Sequence, residues 1–165
     1  MSFLPNKLSF PEHIVRFYGP FSLHKLVDGM RKFVELRQYD FHEIYRMKKG
    51  GDGWKFETRW ECTSRTTHFV KKTFFIDFNV QEIRDVEITV DGRKEKIQHG
   101  RGTILLWGGI EAGYDDSWSK FEKLRGFFLT YVWKSQYLGV YADKQWYELQ
   151  DAAREVRKLL EFEVT

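Results

Sequence analysis

Cysteine is nearly absent from this 165-residue sequence, proline is scarce, and no long apolar run occurs. Cys62 is the only cysteine, which excludes an intrachain disulfide and a cysteine-rich zinc site. A lone thiol fits a reducing compartment, so a cytoplasmic location is expected. No stretch approaches the roughly 18 apolar residues of a transmembrane helix. The opening MSFLPNKLSFP lacks the apolar core of a signal peptide. Charge of one sign is lacking too: 27 Lys and Arg against 24 Asp and Glu leave +3. That excess permits an anionic partner without demanding one.

Aromatic residues, by contrast, are abundant, with 15 Phe, 8 Tyr and 6 Trp. Such side chains bury large areas and dominate packing. With 42% hydrophobic and 31% charged residues the composition is globular, and the length suits one domain with a full core. Pro5 and Pro11 make residues 1–12 an extended arm, leaving 13–165 as a single domain.

Periodicity places the elements. His13–Tyr18 is a short strand closed by Gly19-Pro20. Ser22 sits in N-cap position, and Leu23, Leu26, Val27, Met30, Phe33 and Val34 predict an amphipathic helix over 23–37. From residue 41 the period becomes two. Gly50-Gly51-Asp52-Gly53 joins strands 41–48 and 54–63. In the second, Trp54, Phe56, Thr58, Trp60 and Cys62 share one face and Lys55, Glu57, Arg59, Glu61 and Thr63 the other. A strand over 67–80 is apolar on both faces, which predicts cover on its second side. Val86, Ile88 and Val90 lead into an Asp91-Gly92 hairpin turn. The return strand is expected to bulge around His99–Gly102. It continues through Ile104, Leu106, Gly108, Ile110 and Ala112, with Gly108-Gly109 a bend or a close helix approach.

Two helices finish the chain. Asp115, Asp116 or Ser117 caps the first, whose stripe of Trp118, Phe121, Leu124, Phe128, Tyr131 and Val132 is expected in the core. Gly139 marks a break. The second opens at Asp143 with Trp146, Leu149, Ala153, Val156 and Leu160 inward. Segregated strands and helices predict an α+β fold: a curved antiparallel sheet of about five to six strands packed on one early and two C-terminal helices.

Candidate chemistry is sparse. His42 and Glu43 adjoin Asp40, but neighbours on a strand point to opposite faces and do not simply form an acid–base pair. Asp77, between Phe75 and Asn79 on one strand face, either lines a cavity or pairs with a cation. His68 reads as a surface histidine, and His13, His24 and His99 lack metal-ligand spacing. Glu111 with Asp115-Asp116 suits a helix N-terminus. The glycine stretches lack the strand-to-helix context of a phosphate loop. No metal or cofactor is expected. RNA is the most serious anionic partner: Arg46, Lys48, Lys49, Arg65, Lys71, Lys72, Arg93, Lys94, Lys96 and Arg101 fall near sheet edges or hairpin tips, where nearby aromatics would offer stacking.

The sequence resembles a group of small uncharacterised archaeal proteins. The resemblance covers Gly19-Pro20-Phe21-Ser22-Leu23, Tyr39-Asp40-Phe41-His42-Glu43, the Trp60 strand, Asp85-Val86-Glu87, Gly100 and Tyr114-Asp115. It implies an archaeal source and a shared fold, without a transferable activity. In element order the chain is also similar to the helix-grip fold of START and Bet v 1-like proteins, which implies a sheet wrapped on a C-terminal helix, often around an apolar ligand. It departs from that pattern in its one early helix and two terminal helices.

These patterns point to a non-enzymatic binding or interaction domain. In one form it holds an apolar small molecule between sheet and helices, lined by Trp54, Phe56, Trp60, Asp77, Phe128 and Tyr131. In the other it is an assembly or ribonucleoprotein-associated protein, with basic hairpin tips and exposed aromatics meeting protein or RNA.

Overall fold

The computed structural model describes residues 3–51, 53–114 and 120–160. Five antiparallel strands, β1 (Lys7–Phe21), β2 (Asp40–Lys49), β3 (Trp54–Arg65), β4 (Val70–Val90) and β5 (Arg93–Ala112), form one open sheet in the order β1-β5-β4-β3-β2. Helix α1 (Leu23–Leu36) follows β1. A helical path then runs through α2 (Glu122–Phe127), a π-helical turn (Phe128–Val132), α3 (Lys134–Gln136) and a second π-helical turn (Tyr137–Ala142) into α4 (Asp143–Leu160). The fold is α+β.

Local chemistry explains these elements. The Ser22 side chain accepts the Lys25 amide hydrogen at 3.3 Å, satisfying one open donor at the start of α1. Leu26, Met30 and Val34 are then buried at helical spacing. The alternation of β3 continues in register across β4. Phe56, Trp60, Cys62, Phe74, Ile76 and Phe78 point to the side covered by α1 and α4, where they form the main core with Leu149, Ala153 and Val156. Trp60 packs edge-on against Phe41 and Phe78. Burial pushes the Cys62 thiol up to about 12, so this cysteine is an inert core residue.

Several boundaries differ from the sequence reading. The first strand starts at Lys7, inside the expected arm, so the arm's second half belongs to the sheet. The strands expected over 67–80 and at 86–90 are one strand of 21 residues that begins at Val70. The bulge lies in β4, where the register slips between Gln81 and Arg84 and Glu82 adopts a left-handed φ of 55°; β5 passes opposite it without a slip. Beyond this point Val86–Ile97 pair only with each other, a two-stranded ribbon turning at Asp91-Gly92. A Cβ on Gly108 would collide with Thr73 and Phe74, and one on Gly109 with Leu8. Neighbouring strands, rather than a helix, therefore require these glycines.

The larger correction concerns the first C-terminal helix. Phe121, Leu124, Tyr131 and Val132, expected in the core, are more than half exposed. The opposite side of the segment is buried instead. Leu129, Tyr137 and Ala142 pack with Ile110 and Ala112 in a second apolar cluster that includes Leu4 and Leu8. The Trp133 amide donates to the Phe128 carbonyl at 2.9 Å, the wide i→i+5 bond of a π turn. The path is irregular at Trp133, with φ −118° and ψ 11°, and Gly139 lies within a helical turn. Asp115, Asp116, Ser117 and Trp118 fall outside the described residues.

One polar cluster interrupts the core. Lys72, 4% exposed, donates to Glu148 at 3.2 and 3.4 Å. The Tyr39 hydroxyl donates to Glu148 and lies 2.5 Å from Gln145 Oε1, and the Gln145 amide donates to the Thr73 carbonyl at 3.4 Å. Burial, reinforced by the Glu148 charge, raises the Tyr39 pKa well above the tyrosine range.

Two outcomes test this packing. Trp60→Ala should cost about 3–5 kcal/mol in urea unfolding, the range for a large aromatic lost from a core; unchanged stability would put Trp60 elsewhere. Glu148→Ala should cost about 3–5 kcal/mol by leaving the Lys72 charge buried alone, while Lys72→Met with Glu148→Leu should regain most of it. A double variant no more stable than Glu148→Ala would show that the unpaired charge is not the cause.

Candidate binding surface on the open sheet face

The face of the sheet opposite α1 and α4 carries the alternate residues of every strand, and among the described residues no helix lies over it. The cover predicted for the second face of β4 is therefore absent; Phe75 is half-buried by stacking on Trp107, centroids 5.2 Å apart. Antiparallel sheets tolerate such one-sided exposure.

Strand register arranges this face in cross-strand rows. Tyr18, Arg101 and Gln81 form one, and Arg16, Thr103 and Asn79 the next. Ile14, Leu105, Asp77, Arg59 and Tyr45 form a third, and Trp107, Phe75, Glu61 and His42 a fourth. Successive rows are two residues apart, about 6.8 Å.

The first two rows line a groove of about 460 Å³ open to solvent. The Tyr18 ring is 79% exposed and meets His99 edge-on at 5.2 Å. Arg101 pairs with Glu82 at 3.2 Å, both side chains more than half exposed. Glu82 is the left-handed residue of the β4 bulge, a device that redirects neighbouring side chains. Gln81 donates to Asn79 at 3.2 Å. Two guanidinium groups, an open phenol ring, two carboxamides and a hydroxyl thus converge from three strands. These donors suit an oxyanion, and the ring suits a planar π system.

A second hollow, about 400 Å³, lies over the third row between Phe10, Glu12, Arg59, Asp77, Leu105 and Trp107. Arg59 makes a bidentate pair with Asp77 at 2.7 and 2.7 Å, and these hydrogen bonds raise its pKa further. Its guanidinium also lies 5.4 Å from the Trp107 ring and 5.9 Å from that of Tyr45.

The structure does not bring the six expected ligand-lining residues together. Phe56 and Trp60 are core residues at 5% and 1% exposure, and Trp54 packs beside them under Lys48. Asp77 is on the opposite face of the sheet, paired with Arg59. Phe128 packs on Phe69 and Trp133, and Tyr131 on Phe127 and Phe3.

The expected nucleic-acid cations are also dispersed. Lys72 is buried and paired, so it leaves that set. Lys71 faces outward and reaches Glu111 at 3.6 Å. Lys48 and Lys49 end β2, and Arg93, Lys94 and Lys96 lie on the ribbon. From Glu82 to Arg101 that arm balances Arg84, Arg93, Lys94, Lys96 and Arg101 against Glu82, Asp85, Glu87, Asp91 and Glu95. Only Arg101 of the original set lines the groove. The sequence reading missed Arg16, Tyr18, Asn79, Gln81 and Thr103; their alternation on outward positions was visible, but the register that unites them was not.

The histidine candidates are structural or solvated. His42 and His68 are exposed. Glu43 accepts from Thr58 at 2.8 Å and Trp60 at 3.1 Å. Burial opposes its ionisation, yet hydrogen bonds from Thr58, Arg46 and Trp60 prevail and lower its pKa. His13 faces the helix side against Trp146, with Nε2 buried and unpartnered.

Among the described residues no group of three His, Cys, Asp or Glu side chains is placed to hold a metal ion, and no helix is long and apolar enough to cross a membrane. No protein-family model matches the chain, and no curated protein matches it.

Proposed function

We propose that this protein is a non-enzymatic binding domain that takes single-stranded RNA across the open face of its sheet. The observation that carries this reading is the exposed Tyr18 ring set beside Arg16 and Arg101, with Asn79, Gln81 and Thr103 in the adjoining positions. Unpaired bases stack on exposed aromatic rings, each such contact being worth about 1–3 kcal/mol. Guanidinium groups take phosphate, and carboxamides and hydroxyls reach base edges. The row spacing of the sheet offers successive positions along an extended strand.

An apolar ligand between sheet and helices draws less support. That space is occupied by Leu26, Met30, Trp60, Ile76 and Phe78, each at 0–1% exposure. The buried Tyr39, Lys72, Gln145 and Glu148 side chains bond to one another and serve packing.

Fluorescence anisotropy with a labelled oligouridine of about twelve nucleotides tests the reading. Tyr18→Ala should weaken binding about 5- to 150-fold. Arg16→Ala with Arg101→Ala should weaken it further and reduce the salt slope by about 1.4, the value for two lost phosphate contacts to a single strand. All three side chains are exposed, so melting temperatures should hold. Absence of wild-type binding at low salt, or affinities indifferent to these substitutions, would overturn it.

A further inference from the structure

The hollow over the third row differs in charge from the groove beside it. Among the described residues the groove is lined by two guanidinium groups, Arg16 and Arg101, and by no carboxylate. The hollow sets Arg59 against two carboxylates, Asp77 and Glu12. A phosphate is disfavoured there by like charge, whereas a neutral polar ring is not. Arg59 is also held in one orientation. Its Nε and Nη2 donate to the two Asp77 oxygens at 2.7 Å each. A guanidinium is planar, with its N–H donors in a rigid fork, so the edge formed by Nη1 and Nη2 stays open. Solvent reaches it, the Arg59 side chain being 41% exposed.

Two parallel N–H donors on such a fork match the O6 and N7 acceptors of guanine. The opposite edge of guanine, N1–H with the N2 amino group, carries only donors and suits the Glu12 carboxylate, which lines the same hollow. Adenine would set its N6 amino donor against the guanidinium, and uracil has no N7. Trp107, stacked on Phe75 at 16°, gives the hollow a braced aromatic wall of the kind on which bases stack. The third row adjoins that of Arg16, Thr103 and Asn79, about 6.8 Å away. We infer that this hollow is a guanine-reading subsite in which Arg59 and Glu12 touch the base and Asp77 is the positioning residue. Guanine recognition here rests on the open face being the RNA surface proposed above.

Fluorescence anisotropy tests it with oligouridines of about twelve nucleotides that carry one central guanosine, adenosine or 7-deazaguanosine. The guanosine probe should bind about 5- to 150-fold more tightly than the adenosine probe, the range for one bidentate base contact. 7-Deazaguanosine lacks the N7 acceptor and should lose most of that preference. Arg59→Lys keeps the charge but not the fork, and should bring the guanosine-to-adenosine ratio to within about twofold. Asp77→Asn should lower the same ratio, a readout that lost packing alone would not move. Glu12→Gln, at an exposed position, should lower it at unchanged melting temperature. Equal affinities for the guanosine and adenosine probes would overturn the guanine subsite and leave the RNA surface standing. A preference that survives Arg59→Lys would overturn it as well. Guanosine monophosphate binding as tightly as the guanosine probe would overturn it by making the hollow a mononucleotide site. Absence of binding to every probe would overturn the subsite and the RNA surface together.

Discussion

The burial of one face of β4, and of one face only, is the constraint from which the rest of this structure follows. Val70, Phe74, Ile76, Phe78, Val80 and Ile83 are at 0–3% exposure on the inner face, and each large apolar side chain so buried contributes roughly 1.5–3 kcal/mol. A side-chain period of two then fixes what faces outward, because a one-residue slip would exchange the faces. Thr73, Phe75, Asp77, Asn79 and Gln81 are outward for the same reason that Phe74, Ile76 and Phe78 are inward. The groove is thus a consequence of core packing, and its side chains are held by a rigid scaffold.

Charged groups obey the same partition. Arg59 and Asp77 form their bidentate pair on the open face, where water still reaches both, so it orients Arg59 over Trp107 and Tyr45 more than it stabilises the fold. The Lys72 and Glu148 pair is on the covered side, with side chains only 5% and 12% exposed. There, desolvation makes the hydrogen bond that Glu148 accepts from the Tyr39 hydroxyl a requirement. Two ion pairs joining the same strand to a neighbour therefore have different roles, set by the face each occupies.

How much of this was legible in the sequence depends on how local the cause is. The Ser22 cap, α1, the alternation of β3 and the Asp91-Gly92 turn rest on residues a few positions apart, and they stand where the sequence put them. The junction of β4 was hidden because Gln81-Glu82-Ile83-Arg84-Asp85 reads as a polar connection, whereas a single left-handed residue at Glu82 carries the strand through it. Lys72 looked like its neighbour Lys71; only Glu148, 76 residues away, shows it to be internal. Hydrophobic periodicity grouped Trp118, Phe121, Leu124, Phe128, Tyr131 and Val132 as one inward stripe, yet Phe121, Leu124, Tyr131 and Val132 are exposed while Phe128 packs on Phe69 and Trp133. Periodicity could not say which side is covered, since coverage belongs to the tertiary structure. The groove was least legible of all, being assembled across β1, β5 and β4 by a register that no short motif encodes.

Strand β5 ties the groove to the C-terminal helical segment and also keeps them apart. Arg101 and Thr103 stand in the groove near one end, while Ile110 and Ala112 seat the C-terminal helical segment at the other. Nine residues of extended strand separate Thr103 from Ala112, about 30 Å at 3.4 Å per residue. That exceeds the Debye length at physiological salt, about 8 Å, so charge neutralised in the groove has little effect on the helical segment. Any communication between them would have to pass through the strand. β5 is paired on both sides, with β1 and β4, along Gln98–Glu111, which leaves it no second arrangement of its own.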